Sequence, residues 1–247
     1  VIVLSAPAKL TLNLRVTGVR ADGFHLIDSE MTSLTIADTV LIDDEFNNGL
    51  NDAVDTTTIS VNGPYAAGVP TDSSNLVHKA LALVGRSATV QITKNIPHGG
   101  GLGGGSTDAA AILRWANFTD LNAAARIGAD VSFCLVGGRA RVQGIGEVVT
   151  PLPTHAQDIT LFIPPIHVST PAVYKKWDEL GGPEGPNGND LEPAALAVEP
   201  DLATWRDAIG YATGETPLLA GSGATWFVMG HHNVTLPGAQ VVHTSTV

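Results

Sequence analysis

Basic residues are scarce in this chain: 13 Lys and Arg stand against 24 Asp and Glu, a formal charge of −11. Gripping a nucleic-acid backbone takes clustered cations that replace condensed counterions, so that class of partner is excluded. Cysteine is scarcer still. Cys134 is the single one, which rules out an intramolecular disulfide and fits a reducing, cytoplasmic setting. Flanked by Phe133 and Leu135, it reads as a small buried hydrophobe. No apolar run approaches the roughly 18 residues of a membrane span, and no secretory leader opens the sequence, so no membrane partner is expected. His231, His232 and His243 lack cysteine or carboxylate partners at ligand spacing, which argues against a zinc site.

Glycine is abundant, and it is concentrated. From Pro97 to Asp108 the chain reads Pro97-His98-Gly99-Gly100-Gly101-Leu102-Gly103-Gly104-Gly105-Ser106-Thr107-Asp108, six glycines in twelve residues, and the helix-forming run Ala109 to Trp115 follows directly. Glycines let backbone N–H groups turn inward with no side chain to hold an anion away. The helix start behind them adds unpaired donors and a positive dipole end. The reading is a phosphate site; a flexible linker would not end on a Ser-Thr-Asp helix start. It is not a Walker loop, because no lysine follows Gly105. Gly99, Gly101 and Gly104 satisfy G-x-G-x-x-G formally, with Asp120 downstream. Yet Asp120 follows a fading helix rather than a second parallel strand, as the Rossmann pattern requires.

Around this loop the hydrophobic pattern predicts an α+β protein. Lys9 to Val16 alternates strictly, with Leu10, Leu12, Leu14 and Val16 on one face and Lys9, Thr11, Asn13 and Arg15 on the other. A turn at Asp22-Gly23 precedes strands near Leu26–Ile36 and Thr39–Ile42, and Phe46–Asp55 reads as a polar surface loop. Ser73-Ser74-Asn75 caps a helix running to about Val84, and Thr89–Lys94 is a strand. A further helix enters at Asp130, and Arg139–Gln143 and Val148–Pro151 form strands around Gly144–Glu147. Pro151 and Pro153 mark a boundary, giving an N-terminal unit, 1–153, and a smaller α+β unit, 154–247. In the second unit Ile159–Ile163, Thr225–Met229 and Gln240–His243 are strands, and a helix opened by Pro200 ends near Gly210.

Pro97 to Ser106 resembles the second motif of the GHMP kinases, the family of galactokinase, homoserine kinase and mevalonate kinase. Pro7-Ala8-Lys9-Leu10, Arg20-Ala21-Asp22-Gly23-Phe24-His25, Gly128-Ala129-Asp130-Val131-Ser132-Phe133 and Gly144-Ile145-Gly146-Glu147 match in the same order, and Gly221-Ser222-Gly223-Ala224 resembles the third motif. The longer string Gly101 to Ala110 resembles the branch whose alcohol substrate carries a cytidine diphosphate. The resemblance spans nearly the whole chain. It implies a ribosomal-S5-domain-2-like N-terminal unit and a ferredoxin-like C-terminal unit. Segments 115–128 and 229–241 are shorter than it implies.

The same resemblance implies an ATP-dependent kinase acting on a small molecule, either a monomer or a weak homodimer. Asp130 is implied as the base and Lys9 as its partner; from the residues alone Asp130 is equally a helix cap and Lys9 a surface lysine. Gly99, Gly100, Gly101, Leu102, Gly103, Gly104, Gly105, Ser106 and Thr107, with Pro97 at the entrance, are implied to cradle ATP, a hydroxyl of Ser106 or Thr107 standing near Mg²⁺. Gly221, Ser222 and Gly223 are implied to pack on that loop, and Asn75 and Lys94 to contact adenine, though a helix start and a strand end explain those two as well. On the substrate side stand Thr11, where the family usually has Asn, with Phe24, where it usually has Tyr. His25, Thr170, Tyr174 and Asp130 complete that side, the aromatic faces stacking cytosine while His25 meets its polar edge. A kinase for another small alcohol, or a non-catalytic nucleotide sensor, are the competing readings.

Overall fold

The computed structural model describes residues 1–43, 56–97 and 99–247; the loop expected at Phe46–Asp55 lies outside them. Its backbone is two sheets with helices against them. The N-terminal elements are β1 (Ile2–Val19), β2 (His25–Asp43), β3 (Thr58–Asn62), α1 (Leu76–Leu83), β4 (Thr89–Thr93), α2 (Gly104–Trp115), α3 (Leu121–Ile127), α4 (Val131–Val136), β5 (Arg139–Gly144) and β6 (Val148–Leu152). The C-terminal elements are β7 (Asp158–Ile163), α5 (Thr170–Glu179), α6 (Glu192–Val198), α7 (Asp201–Thr213), β8 (Leu218–Leu219), β9 (Trp226–Met229) and β10 (Gln240–Ser245).

The first sheet is organised by β2, a single long strand where the sequence suggested two. Antiparallel β1 lines one edge of it from end to end. The opposite edge is shared: β5 pairs along Ile27–Thr32 and β4 along Thr39–Asp43. Between those stretches β2 meets the C-terminal strand region. Leu34 bridges Thr246, the Val247 N–H donates to Ser33 O at 3.0 Å, and the Thr35 and Thr244 hydroxyls are 2.9 Å apart. The second sheet runs β10-β7-β9-β8.

Three apolar clusters follow from this layout. One lies under α1, α2 and α4, with Ala109, Ala110 and Ala111 letting α2 lie close to the sheet. A second gathers around Phe162, Leu202 and Trp226 and takes in Leu14 from β1. The third belongs to both units, Ala8, Leu10, Leu34, Ile96 and Leu102 meeting Ile159, Leu161, Ala220 and Phe227.

Some boundaries differ from expectation for physical reasons. The last long helix runs past Gly210 to Thr213 and stops at Gly214, which supplies the left-handed φ of 74° that ends it. α5 and α6 were not anticipated: Val173 is the one buried residue of α5, so its apolar stripe is faint, and α6 spans seven residues. The short segment after α2 turns at Asn117 and carries one brief helix, α3, capped by Asp120 Oδ1 on the Ala123 N–H at 3.0 Å. Between β9 and β10 the chain crosses without a helix, seating Val234 and Leu236 on the second core.

Because the third cluster is shared, Phe227→Ala should destabilise the protein by about 3–5 kcal/mol while calorimetry still records a single melting transition; two separated transitions would show that the halves unfold independently.

Candidate active site

β1 carries the first candidate side chains. Its polar face is covered at the start and open further along: Ala8, Lys9, Leu10 and Thr11 are all buried, the Lys9 side chain being 6% exposed, whereas Arg15 is exposed. Register shifts between Pro7 and Lys9 and between Thr11 and Asn13 bracket the pair, re-aiming two successive inward residues as bulges do. Lys9 Nζ lies 3.1 Å from Asp130 Oδ2 and donates to Thr11 Oγ1 at 3.1 Å. Asp130 stands before α4 but makes no side-chain capping bond; its carboxylate, 30% exposed, is turned to Lys9 and the opening. The backbone behind it is held by the Gly144–Glu147 turn, where a Cβ on Gly146 would lie 2.4 Å from Ala129 O.

The glycine loop folds over this pair. Gly99, Gly101 and Gly103 have φ of 78°, 76° and 71°, alternate left-handed residues of the kind that gather N–H groups into an anion cradle. Gly103 precedes α2 without a side-chain cap, leaving the first N–H groups of that helix uncovered by a side chain. A Cβ there would lie 2.6 Å from Lys9 Cγ, so only glycine lets the loop close onto the lysine stem. The Lys9 N–H donates to Leu102 O at 3.0 Å, completing the attachment. From the C-terminal unit, the Gly221–Gly223 turn packs on the loop at Gly101, whose Cβ position is 3.0 Å from Ala220 O and 3.1 Å from Gly223 O. Gly100 abuts the Thr225 hydroxyl in the same way.

A cavity of about 290 Å³ opens beside the loop, lined by Pro97, Gly99, Gly101 to Gly105 and the apolar Val69, Pro70, Leu76 and Ile96. Asn75 and Lys94 are in its wall, but their polar atoms are engaged elsewhere. Asn75 caps α1 through Oδ1 on the Val77 N–H at 2.8 Å and donates to Pro70 O at 2.6 Å. The Lys94 ammonium is buried between Asp38 and Asp108 Oδ2, the latter 2.6 Å away. Asp38 Oδ1 also accepts from the Asn95 and Ile96 N–H groups at 2.5 and 2.8 Å. The cluster therefore joins the entrance of the loop to the helix at its exit. Burial pushes the Asp108 carboxyl up to about 7; the Asp38 charge adds to this, against the pull of Lys94. Of the two hydroxyl residues after Gly105, Ser106 is half-buried and Thr107 is buried at 1% exposure.

The substrate-side residues gather at β2 and α5. The His25 and Tyr174 rings are 4.7 Å apart. Burial, with the Asp130 charge, pushes the Tyr174 hydroxyl well above the usual tyrosine range. Thr170 and Ser222 hydroxyls are 2.8 Å apart, tying the start of α5 to the Gly221 turn. Phe24 stands apart, 57% exposed beneath the Arg20 guanidinium.

Four residues were missed. Asp38 is fully buried in β2 between Ile36-Ala37 and Val40-Leu41-Ile42, an acid amid apolar neighbours that is a readable sign of a buried partner. Asn189 donates to Leu219 O and Gly221 O at 2.9 and 2.8 Å, holding the third glycine turn, but reads in sequence as one more polar loop residue. Trp177 and Asp178 surround His25 from a helix that was itself not foreseen.

Comparison with known proteins finds similarity along most of the chain. The GHMP kinase N-terminal domain matches residues 75–138. The 4-diphosphocytidyl-2-C-methyl-D-erythritol kinase of Paracoccus denitrificans is 36% identical over 242 residues, covering 90% of this chain and 85% of the relative. The kinase of the same name from Ruegeria pomeroyi is 38% identical over 90% of this chain and 86% of its own length. A crystal structure of 4-(cytidine 5'-diphospho)-2C-methyl-D-erythritol kinase superposes with a TM-score of 0.74 at 27% identity, covering 99% of both chains. Homoserine kinase of Cytophaga hutchinsonii, at 17% identity and a TM-score of 0.62, shares the fold.

The raised Asp108 carboxyl sets a pH signature. Its folded value of about 7 exceeds the ordinary aspartate value of 3.8, so between those values the folded state holds a proton that the unfolded chain has lost. Its contribution to stability is complete below about pH 4 and declines as pH rises toward 7. Asp108→Asn should flatten that decline, measured as Tm against pH; parallel wild-type and variant curves would contradict it.

Proposed function

Because the chain belongs to the 4-diphosphocytidyl-2-C-methyl-D-erythritol kinases, within the GHMP kinases, we propose that Asp130 and Lys9 carry the phosphoryl transfer and that the glycine loop binds ATP. The enzyme phosphorylates the 2-hydroxyl of 4-diphosphocytidyl-2-C-methyl-D-erythritol, a step of non-mevalonate isoprenoid biosynthesis. The observation that carries the assignment of roles is the buried Lys9 ammonium 3.1 Å from an Asp130 carboxylate that caps nothing.

Bound ATP supplies the γ-phosphoryl group, and the chain's task is to hold that group in line with the hydroxyl, neutralise its charge and take a proton. The cradle fits a polyphosphate: the Cβ positions of Gly100, Gly101 and Gly103 are taken by neighbours, so glycine backbone lines it there, and the helix dipole adds positive potential. Val69, Pro70, Leu76 and Ile96 offer adenine an apolar wall, with the Asn75 and Lys94 stems beside them. Ser106 is the hydroxyl that would help hold Mg²⁺, which would supply positive charge to offset the phosphates; Thr107 is buried at 1% exposure.

Asp130 accepts the hydroxyl proton as the new oxygen–phosphorus bond forms and the bond to the departing ADP oxygen breaks. Lys9 holds the carboxylate in position and stabilises negative charge on the transferring group. Thr11, the second partner of Lys9 Nζ, keeps the ammonium aimed at the site with a hydroxyl in place of an amide. Cytosine is read by Tyr174 and His25, with Phe24 free to close over the outer face and Thr170 near the diphosphate.

Asp130→Asn should lower kcat by about 10²–10⁴ with ATP binding nearly intact. A folded variant that turns over normally would remove Asp130 from the proton transfer. Tyr174→Ala should weaken the cytidine substrate by about 1–3 kcal/mol without moving the KM for ATP. Normal affinity in that variant, or equal turnover of a nucleotide-free alcohol by the wild type, would place the base elsewhere.

A further inference from the structure

His25 opens β2, and its imidazole is enclosed by one face of α5. Tyr174 lies against the ring, centroids 4.7 Å apart and planes tilted by 36°. Trp177 meets it edge-on at 5.6 Å and 82°. Asp178 Oδ1 lies 2.9 Å from His25 Nε2. The spacing of 174, 177 and 178 is the i, i+3, i+4 pattern that puts three side chains on one helix face. This face is itself braced: the Trp177 Nε1–H donates to Pro183 O at 3.0 Å, and a Cβ on Gly182 would lie 3.0 Å from the indole. The neighbouring cation does not compete for Asp178, since Lys176 pairs with Glu179 at 2.5 Å. The His25 side chain is 11% exposed, so the ring is held in place.

An ionised carboxylate has no hydrogen to give, so the bond to Asp178 requires the proton on Nε2. In the neutral imidazole Nδ1 is then an acceptor, because the hydrogen bond at one ring nitrogen sets the state of the other. Cytosine and uracil differ at C4: cytosine presents an amino group, which donates, and uracil a carbonyl, which accepts. An acceptor nitrogen pairs with the first and opposes the second. A site built for a donor rejects the analogue that lacks it, since its own polar atom is left unpaired.

We infer that Asp178 is a positioning residue for base selection: by keeping the proton on Nε2 of His25 it leaves Nδ1 to accept from the cytosine amino group, and so discriminates against uracil. This rests on the reading above in which His25 meets the polar edge of the base.

The test compares the full chain with Asp178→Ala, Asp178→Asn and His25→Ala, using the cytidine substrate and its uridine analogue, with nitrogen-15 spectra of His25 at pH 8. Wild-type Nδ1 should be unprotonated, and Asp178→Ala should show a tautomer mixture. The cytidine-to-uridine ratio of kcat/KM should fall about tenfold in Asp178→Ala, through KM, with the KM for ATP unchanged as the check on folding. Asp178→Asn, whose amide oxygen accepts the same proton, should restore most of the ratio. A proton on Nδ1 in the wild type, or an unchanged ratio in Asp178→Ala while His25→Ala weakens the cytidine substrate, overturns the role of Asp178 alone. Unaltered cytidine affinity in His25→Ala overturns the underlying base-reading assignment and this proposal with it.

Discussion

A buried ammonium between two carboxylates, Lys94 against Asp38 and Asp108, fixes the glycine loop at both ends. Six glycines in twelve residues would sample many conformations if only their own torsions constrained them. Asp38 takes the N–H groups of the loop entrance, Asp108 anchors the first turn of α2, and the lysine ties the two together. Lys9 then clamps the middle through the carbonyl of Leu102. The cradle is thereby organised before any anion arrives, and binding free energy is not consumed in ordering it.

The arrangement of charge divides the site into two regimes. Under the loop the carboxylates are dry, and burial governs the behaviour of Asp108 more strongly than its cation does. At the opening, Asp130 keeps nearly a third of its side chain in contact with solvent beside a buried ammonium. The first pair builds a scaffold, while the second stays open to solvent, as the proposed proton transfer requires. The same residue types do both, and depth in the fold separates them.

Much of this was legible because glycine patterns and strand alternation are local. The loop, the cap at Asn75, and most strands of both sheets follow from neighbouring residues. Less legible was anything decided by what packs on top. The Lys9 face of β1 looks solvated by alternation and becomes buried only because a loop ninety residues away folds over it. Asp130 carries the local marks of a helix cap, yet spends its carboxylate on a lysine from the first strand. Asn75 and Lys94 line the cavity beside the glycine loop, but their polar atoms serve the scaffold around it. Trp177 and Asp178 went unnoticed because α5 buries one residue and leaves a weak periodic trace.

The bulges of β1 also restrict how the chain length can change. Lys9 and Thr11 sit between two register shifts, and a third follows before Gly18. With a side-chain period of two, one residue gained or lost there would exchange the site-facing and core-facing sets. Such a change would move Lys9 from Asp130 into the apolar cluster of Leu10 and Leu34. The links at 116–120 and 230–239 bear no such constraint, because each joins completed elements. Insertions and deletions can therefore accumulate in those links, while the first strand must keep its residue count for as long as the chemistry is kept.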